Sequence, residues 1–169
     1  MKIVLVHSPL RFWKRPLSLI GFLIRKFTKT YYNHASFLVE IAEQKFILES
    51  DIKGVVLVPF EHWCKEQIVT IYDFEANTDH LKRALIKVGV SKYDFIYLFW
   101  FGLVRAITGK YYGYTVERKA AKKFYCYEYL AWVIGLEDYY KILPNEFITF
   151  VENQGYELVH EKINAKDLL

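Results

Sequence analysis

The sequence predicts an α+β domain. Strand-like runs crowd the first 74 residues, and most patterns of helical periodicity lie beyond residue 80, the segregation expected of a sheet with helices gathered against it. A chain of 169 residues suits one domain, 1–169, able to remove roughly 70% of its unfolded surface from water. With 53% hydrophobic and 18% aromatic residues, the interior is expected to be an aromatic core or an apolar groove.

Lys2 to Val6 reads as a buried strand, and Pro9 and Pro16 break the segment after it. Leu17, Ile20, Leu23, Ile24 and Phe27 fall at helical spacing, which predicts an amphipathic helix over 17–27. Ala35–Ile41 and Lys45–Ser50 form the clearest hairpin signal, with Ala35, Phe37, Val39 and Ile41 alternating against Ser36, Leu38 and Glu40. A loop of two or four residues makes opposing positions sum to an odd number. Phe46 and Leu48 then join the Phe37 and Val39 face, and Glu49 falls on the face of His34 and Ser36.

Strands are expected over Val55–Pro59 and Ile68–Phe74, separated by a polar connection holding His62, Trp63 and Cys64. His80–Val90 reads as a helix with Leu81, Leu85 and Val88 along one side, and Ser91–Asp94 as a turn into a second apolar helix, Phe95–Ile107. Gly109–Tyr114 reads as a loop. The next helix starts near Tyr125 and runs to Ile134, stopped by Gly135. Pro144–Phe150 is a short helix and Gly155–His160 a last strand.

The net charge of +4 gathers in two places, Arg11 to Lys29 and Arg118 to Lys123. No nucleic-acid motif or arginine-rich arm accompanies it, which argues against a nucleic-acid partner and for a solvated basic face. Arg25, Lys26 and Lys29 beside the first amphipathic segment allow peripheral contact with a membrane surface. The apolar run after Lys2 ends at His7, too short for a secretory signal, and the stretches 17–24 and 96–104 fall short of the roughly 20 residues of a membrane span. A cytoplasmic protein, of a bacterium or encoded by a virus or phage, is expected.

The two cysteines, Cys64 and Cys126, show neither metal-ligand spacing nor a disulfide-dense context, so no metal or other cofactor is expected. A thiol becomes a nucleophile in the first turn of a helix beside an imidazole, and Cys126 stands at the start of an apolar helix, after Lys119, Lys122 and Lys123. A base must lie within hydrogen-bond reach and be held by a third polar group. His34, heading its strand, with Glu49 on the same face, meets that pattern. His7, His62, His80 and His160 compete as bases, and His62 with Cys64 forms a rival dyad that Glu61 or Glu66 could orient.

The pieces Asn33-His34-Ala35-Ser36-Phe37, Ile47-Leu48-Glu49-Ser50, Gly54-Val55-Val56, Tyr93-Asp94-Phe95 and Phe124-Tyr125-Cys126-Tyr127-Glu128 carry a resemblance. Their order over residues 30–135 resembles that of the circularly permuted NlpC/p60 (YiiX-like) papain-like proteins, in which the His strand precedes the Cys helix. The resemblance implies a papain-like fold, a central antiparallel sheet packed against helices with the nucleophile at a helix N-terminus. It also implies Cys126 as nucleophile, His34 as general base and Glu49 as the third member, with Asp94 and Glu128 structural. Two positions depart from the family pattern: Tyr127 is large where a small residue is usual, and Ala35-Ser36 replaces a Val-Gly pair. The resemblance also implies the activity of a cysteine hydrolase of amide or ester bonds, a peptidase or amidase, or a lipid esterase or acyltransferase. Its substrate would be a small peptide, amide or lipid. The alternative is a catalytically silent module of the same fold that binds lipid or peptide.

Overall fold

The computed structural model describes residues 1–8, 22, 25, 26, 28–65, 67–94, 104, 108 and 123–169. The expected helices over 17–27 and 95–107 lie, isolated positions apart, outside the described residues, as does the loop over 109–114.

The apolar runs of the first half assemble as β1 (Lys2–His7), β2 (His34–Ile41), β3 (Gln44–Asp51), β4 (Gly54–Pro59) and β5 (Ile68–Asp73), joined by β8 (Leu158–Asn164) from the C-terminal end. They form one sheet in the order β4-β3-β2-β1-β5-β8, every neighbouring pair antiparallel. In β1, Ile3 to Val6 are buried on both faces, the reason this strand reads as an unbroken apolar run.

Among the described residues, the helices that pack against the sheet are α1 (Phe60–Trp63), α2 (Thr78–Ile86), α3 (Cys126–Val133) and α4 (Pro144–Asn153). The architecture is therefore mixed α+β. One sheet face, with Ile3, Leu5, Ala35, Phe37, Val39 and Leu48, forms the larger core with α3 and with Phe147 and Val151 of α4. The opposite face, with Val4, Val6, Ile47, Val69 and Ile71, packs with Phe60, Cys64 and Ala165.

The β2–β3 register pairs Phe37 with Leu48 and Ile41 with Gln44, the odd sum that puts Glu49 on the face of His34. Its loop is the two residues Ala42 and Glu43, both at positive φ (50° and 63°), the geometry of a type I′ hairpin turn.

Three expectations need correction. Helix α2 runs over Thr78–Ile86 rather than His80–Val90, because Asn77 caps it: the His80 N–H donates to Asn77 Oδ1 at 2.9 Å. Its buried residue is Ala84; Leu81 and Leu85 are exposed. The small Ala84 side chain lets the Tyr129 hydroxyl reach its carbonyl at 2.7 Å. The segment read as a turn, Ser91–Asp94, contains β6 (Lys92–Tyr93), which pairs in parallel with β7 (Lys123–Phe124). The last strand starts at Leu158 and reaches Asn164 rather than spanning Gly155–His160.

Gly54 explains the Gly-Val step. It sits at φ 110°, where a Cβ would lie 2.1 Å from the Ser91 carbonyl oxygen. That approach lets the Val55 N–H donate to the same oxygen at 3.2 Å and brings the α2–β6 connection onto the β4 edge. Among the described residues, no helix is long and apolar enough to cross a membrane.

The hairpin turn supplies a stability prediction. An L-residue in the left-handed region costs roughly 1–2 kcal/mol, and Asn-Gly is the pair that I′ geometry favours. Ala42→Asn combined with Glu43→Gly is expected to raise the unfolding free energy by about 1–2 kcal/mol, measured as a higher urea midpoint at unchanged m-value.

Candidate active site

His34 opens β2, and the chain before it is tied down. The Asn33 N–H donates to the Val6 carbonyl at 2.9 Å, and Asn33 Oδ1 accepts from the Ser8 N–H at 2.8 Å and from the Arg25 guanidinium at 3.0 Å. Arg25, one of the cations expected on a solvated basic face, also donates to the Ser8 carbonyl at 2.9 Å, so it braces the entry to His34. At the other end of the dyad, Phe124 carries the anchor. Its carbonyl accepts from the Ser50 hydroxyl at 2.9 Å and from the Asp94 N–H at 3.1 Å, which fixes the backbone two residues before Cys126.

Cys126 is the first residue of α3, with Tyr125 as N-cap; the Glu128 carboxylate accepts from the Tyr125 N–H at 3.4 Å. The N–H groups of the first turn have no intrahelical partner and point toward the start of the helix, where the sulfur also sits. The Tyr127 side chain is fully buried, edge-on to Phe147 at 5.8 Å, and its hydroxyl donates to the His34 carbonyl at 3.4 Å. The large residue after Cys126 is thus turned into the core, where it ties α3 to the start of β2.

His34 Nε2 lies 2.6 Å from Glu49 Oε2, a short, charge-assisted contact, with the two side chains 20% and 7% exposed. The Trp63 indole N–H donates to the same carboxylate oxygen at 3.0 Å. Cys126 is the ring's second acidic neighbour, and its influence, like that of Glu49, favours the protonated imidazole. Burial works against protonation of the ring. The facing charges of Cys126 and Glu49, together with their hydrogen bonds, outweigh it and hold His34 well above the usual histidine range.

Tyr93, on β6, belongs to the same neighbourhood. Its phenol is pushed well above the usual tyrosine range by burial first, then by the charges of Cys126, Asp51, Asp94 and Glu49. The sequence reading missed Tyr93 and Trp63 as site residues. The Tyr93-Asp94 pair was visible as a turn signal. Trp63 carried no pattern beyond being a tryptophan in a polar connection.

The rival dyad is not assembled. His62 is 66% exposed and sits 3.5 Å from Glu61, whereas Cys64 is buried in the second core and its sulfur faces the Glu61 carbonyl at 3.5 Å. The other histidines lie elsewhere: His7 stacks on Tyr31, His80 caps α2, and His160 is on β8. Among the described residues, no group of three or more His, Cys, Asp or Glu side chains is gathered as a metal site.

In comparisons with known proteins, no family model matches the chain and no curated protein matches it.

A raised folded-state value for His34 means that the native state binds the proton more tightly than the unfolded chain. The stabilisation is complete below the unfolded histidine value of about 6.5 and fades as pH rises through the higher folded value. The excess stability of the wild type over His34→Gln, from urea unfolding under reducing conditions, is therefore expected to be larger near pH 6 than near pH 9. A difference that grows with pH contradicts the assignment.

Proposed function

We propose that the chain is a thiol hydrolase of amide or ester bonds with a papain-like site of Cys126, His34 and Glu49. One observation carries this reading: an imidazole clamped at 2.6 Å by a carboxylate and raised in basicity by a helix-N-terminal thiol as well. The chain order, His strand, Glu strand and then Cys helix, also matches the permuted NlpC/p60 pattern to which the motifs bear a resemblance.

In the proposed cycle, the proton of Cys126 rests on His34 as a thiolate–imidazolium pair, and the sulfur forms a bond to the substrate carbonyl carbon. The carbonyl oxygen becomes an oxyanion facing the first-turn N–H groups of α3. Collapse breaks the bond to the leaving amine or alcohol, which departs with the proton held by His34. Water, deprotonated by His34, then attacks the thioester; the acid leaves and the thiol regains its proton. Another nucleophile in place of water would make the same cycle an acyl transfer. Glu49 orients the ring and stabilises its positive charge without taking the proton.

A second reading has an observation of its own. Cys126 is only 1% exposed, which suits a silent module of the same fold that binds lipid or peptide without turnover. Under the enzymatic reading, the fifth of the His34 side chain that meets solvent marks the approach to the thiol.

Iodoacetamide labelling, with peptide mass analysis of the product, separates the two. Cys126 is expected to label faster than Cys64 at neutral pH and to slow sharply in His34→Ala. Equal inertness of both thiols favours the binding module. On amide or ester probes that form a thioacyl enzyme, Cys126→Ala is expected to abolish turnover, and His34→Ala to lower it roughly 10²–10⁴-fold. Glu49→Gln is expected to lower turnover less than His34→Ala; equal losses count against an orienting role.

A further inference from the structure

On the sheet face that carries α3, a cavity of about 450 Å³ opens between α4 and strands β5 and β8. Its floor is buried and polar, and Tyr32, Thr70 and Tyr72 are each no more than 8% exposed. The Tyr32 and Thr70 hydroxyls are 2.8 Å apart, and Thr70 Oγ1 also accepts the Lys162 N–H at 3.1 Å. Two hydroxyls bonded to each other use one of their two protons in that bond. Tyr32 is the donor, so the proton left over is that of Thr70.

The rim carries both signs of charge. The Lys162 ammonium is 3.0 Å from Glu161 and 5.7 Å above the Tyr31 ring, so this cation already has a carboxylate and an aromatic face. Glu152 also lines the cavity, and among the described residues no cation is paired with it. Around Tyr72 the carboxylates set the field. Burial raises the Tyr32 and Tyr72 phenols, and the charges of Glu152 and Glu161 push both the same way. At Tyr32 Lys162 opposes them and is the largest of the three charges; at Tyr72 the two carboxylates meet no opposing cation.

We propose that this cavity binds a small organic ammonium group, held by the Glu152 carboxylate over the floor tyrosines, with an oxygen acceptor on the same molecule taking the free proton of the Tyr32–Thr70 pair. The protein shows the same chemistry where Lys162 meets Glu161 and Tyr31. The site does not depend on thiol chemistry.

Calorimetric titration of the Cys126→Ala protein with ethanolamine hydrochloride, against sodium chloride at equal ionic strength, tests the proposal without turnover. Saturable binding is expected, weakened about tenfold or more in Glu152→Gln, a loss of at least ~1.4 kcal/mol. Glu152 is exposed, so that variant is expected to unfold at the same temperature as its parent. Thr70→Val is expected to weaken ethanolamine binding but to leave tetramethylammonium binding, which lacks the oxygen, nearly unchanged. Absence of saturable heat, equal binding in Glu152→Gln, or tighter binding of acetate than of ethanolamine overturns the proposal. Inactivity of the thiol toward every acyl probe leaves this titration unaffected, so the two readings fail separately.

Discussion

Two consecutive residues of β3 hold the site together. Strand alternation sends Glu49 to one face, where it clamps His34, and Ser50 to the other, where it anchors the Phe124 carbonyl ahead of Cys126. The imidazole and the thiol come from segments more than 90 residues apart, as the separation of Tyr127 from His34 records. Both are referred to the same stretch of one strand, so a one-residue slip of β3 against β2 would move Glu49 away from His34 and Ser50 away from Phe124 together.

The electrostatics depend on that framework. A carboxylate only 7% exposed is costly unless its oxygens are partnered, and Glu49 Oε2 receives both the His34 ring and the Trp63 indole N–H. Trp63 belongs to α1, on the second sheet face, while Cys126 belongs to the core of the first. The site thus sits at the end of β2, where groups from the two faces meet around one ring. Burial alone would strip the proton from His34. The two acidic partners reverse this, and the outcome is a ring of raised basicity between a carboxylate and a thiol.

The hairpin and the site register were legible in the sequence because they rest on period-two alternation and loop parity, which need no knowledge of the rest of the chain. The start of α3 was legible for a similar reason, an apolar run ending at Gly135, which sits at φ 84° past the last helical turn. Where the reading failed, the deciding contact was tertiary. Two-residue strands such as β6 and β7 are too short to show a period. Leu81 and Leu85 have the spacing of a buried stripe, yet Ala84 is the residue that packs, because the Tyr129 hydroxyl needs a close approach to its carbonyl. Trp63 and Tyr93 become site residues only once α1 lies under Glu49 and β6 joins the strand leading into Cys126.

The ring at residue 34 can be tracked directly by NMR titration of its carbon-bound protons, in the wild type and in Cys126→Ala. A midpoint above the ordinary histidine value of about 6.5 that falls when the sulfur is removed is the expected result. A midpoint at or below that value, indifferent to the loss of Cys126, would contradict a ring held protonated between Glu49 and the thiol.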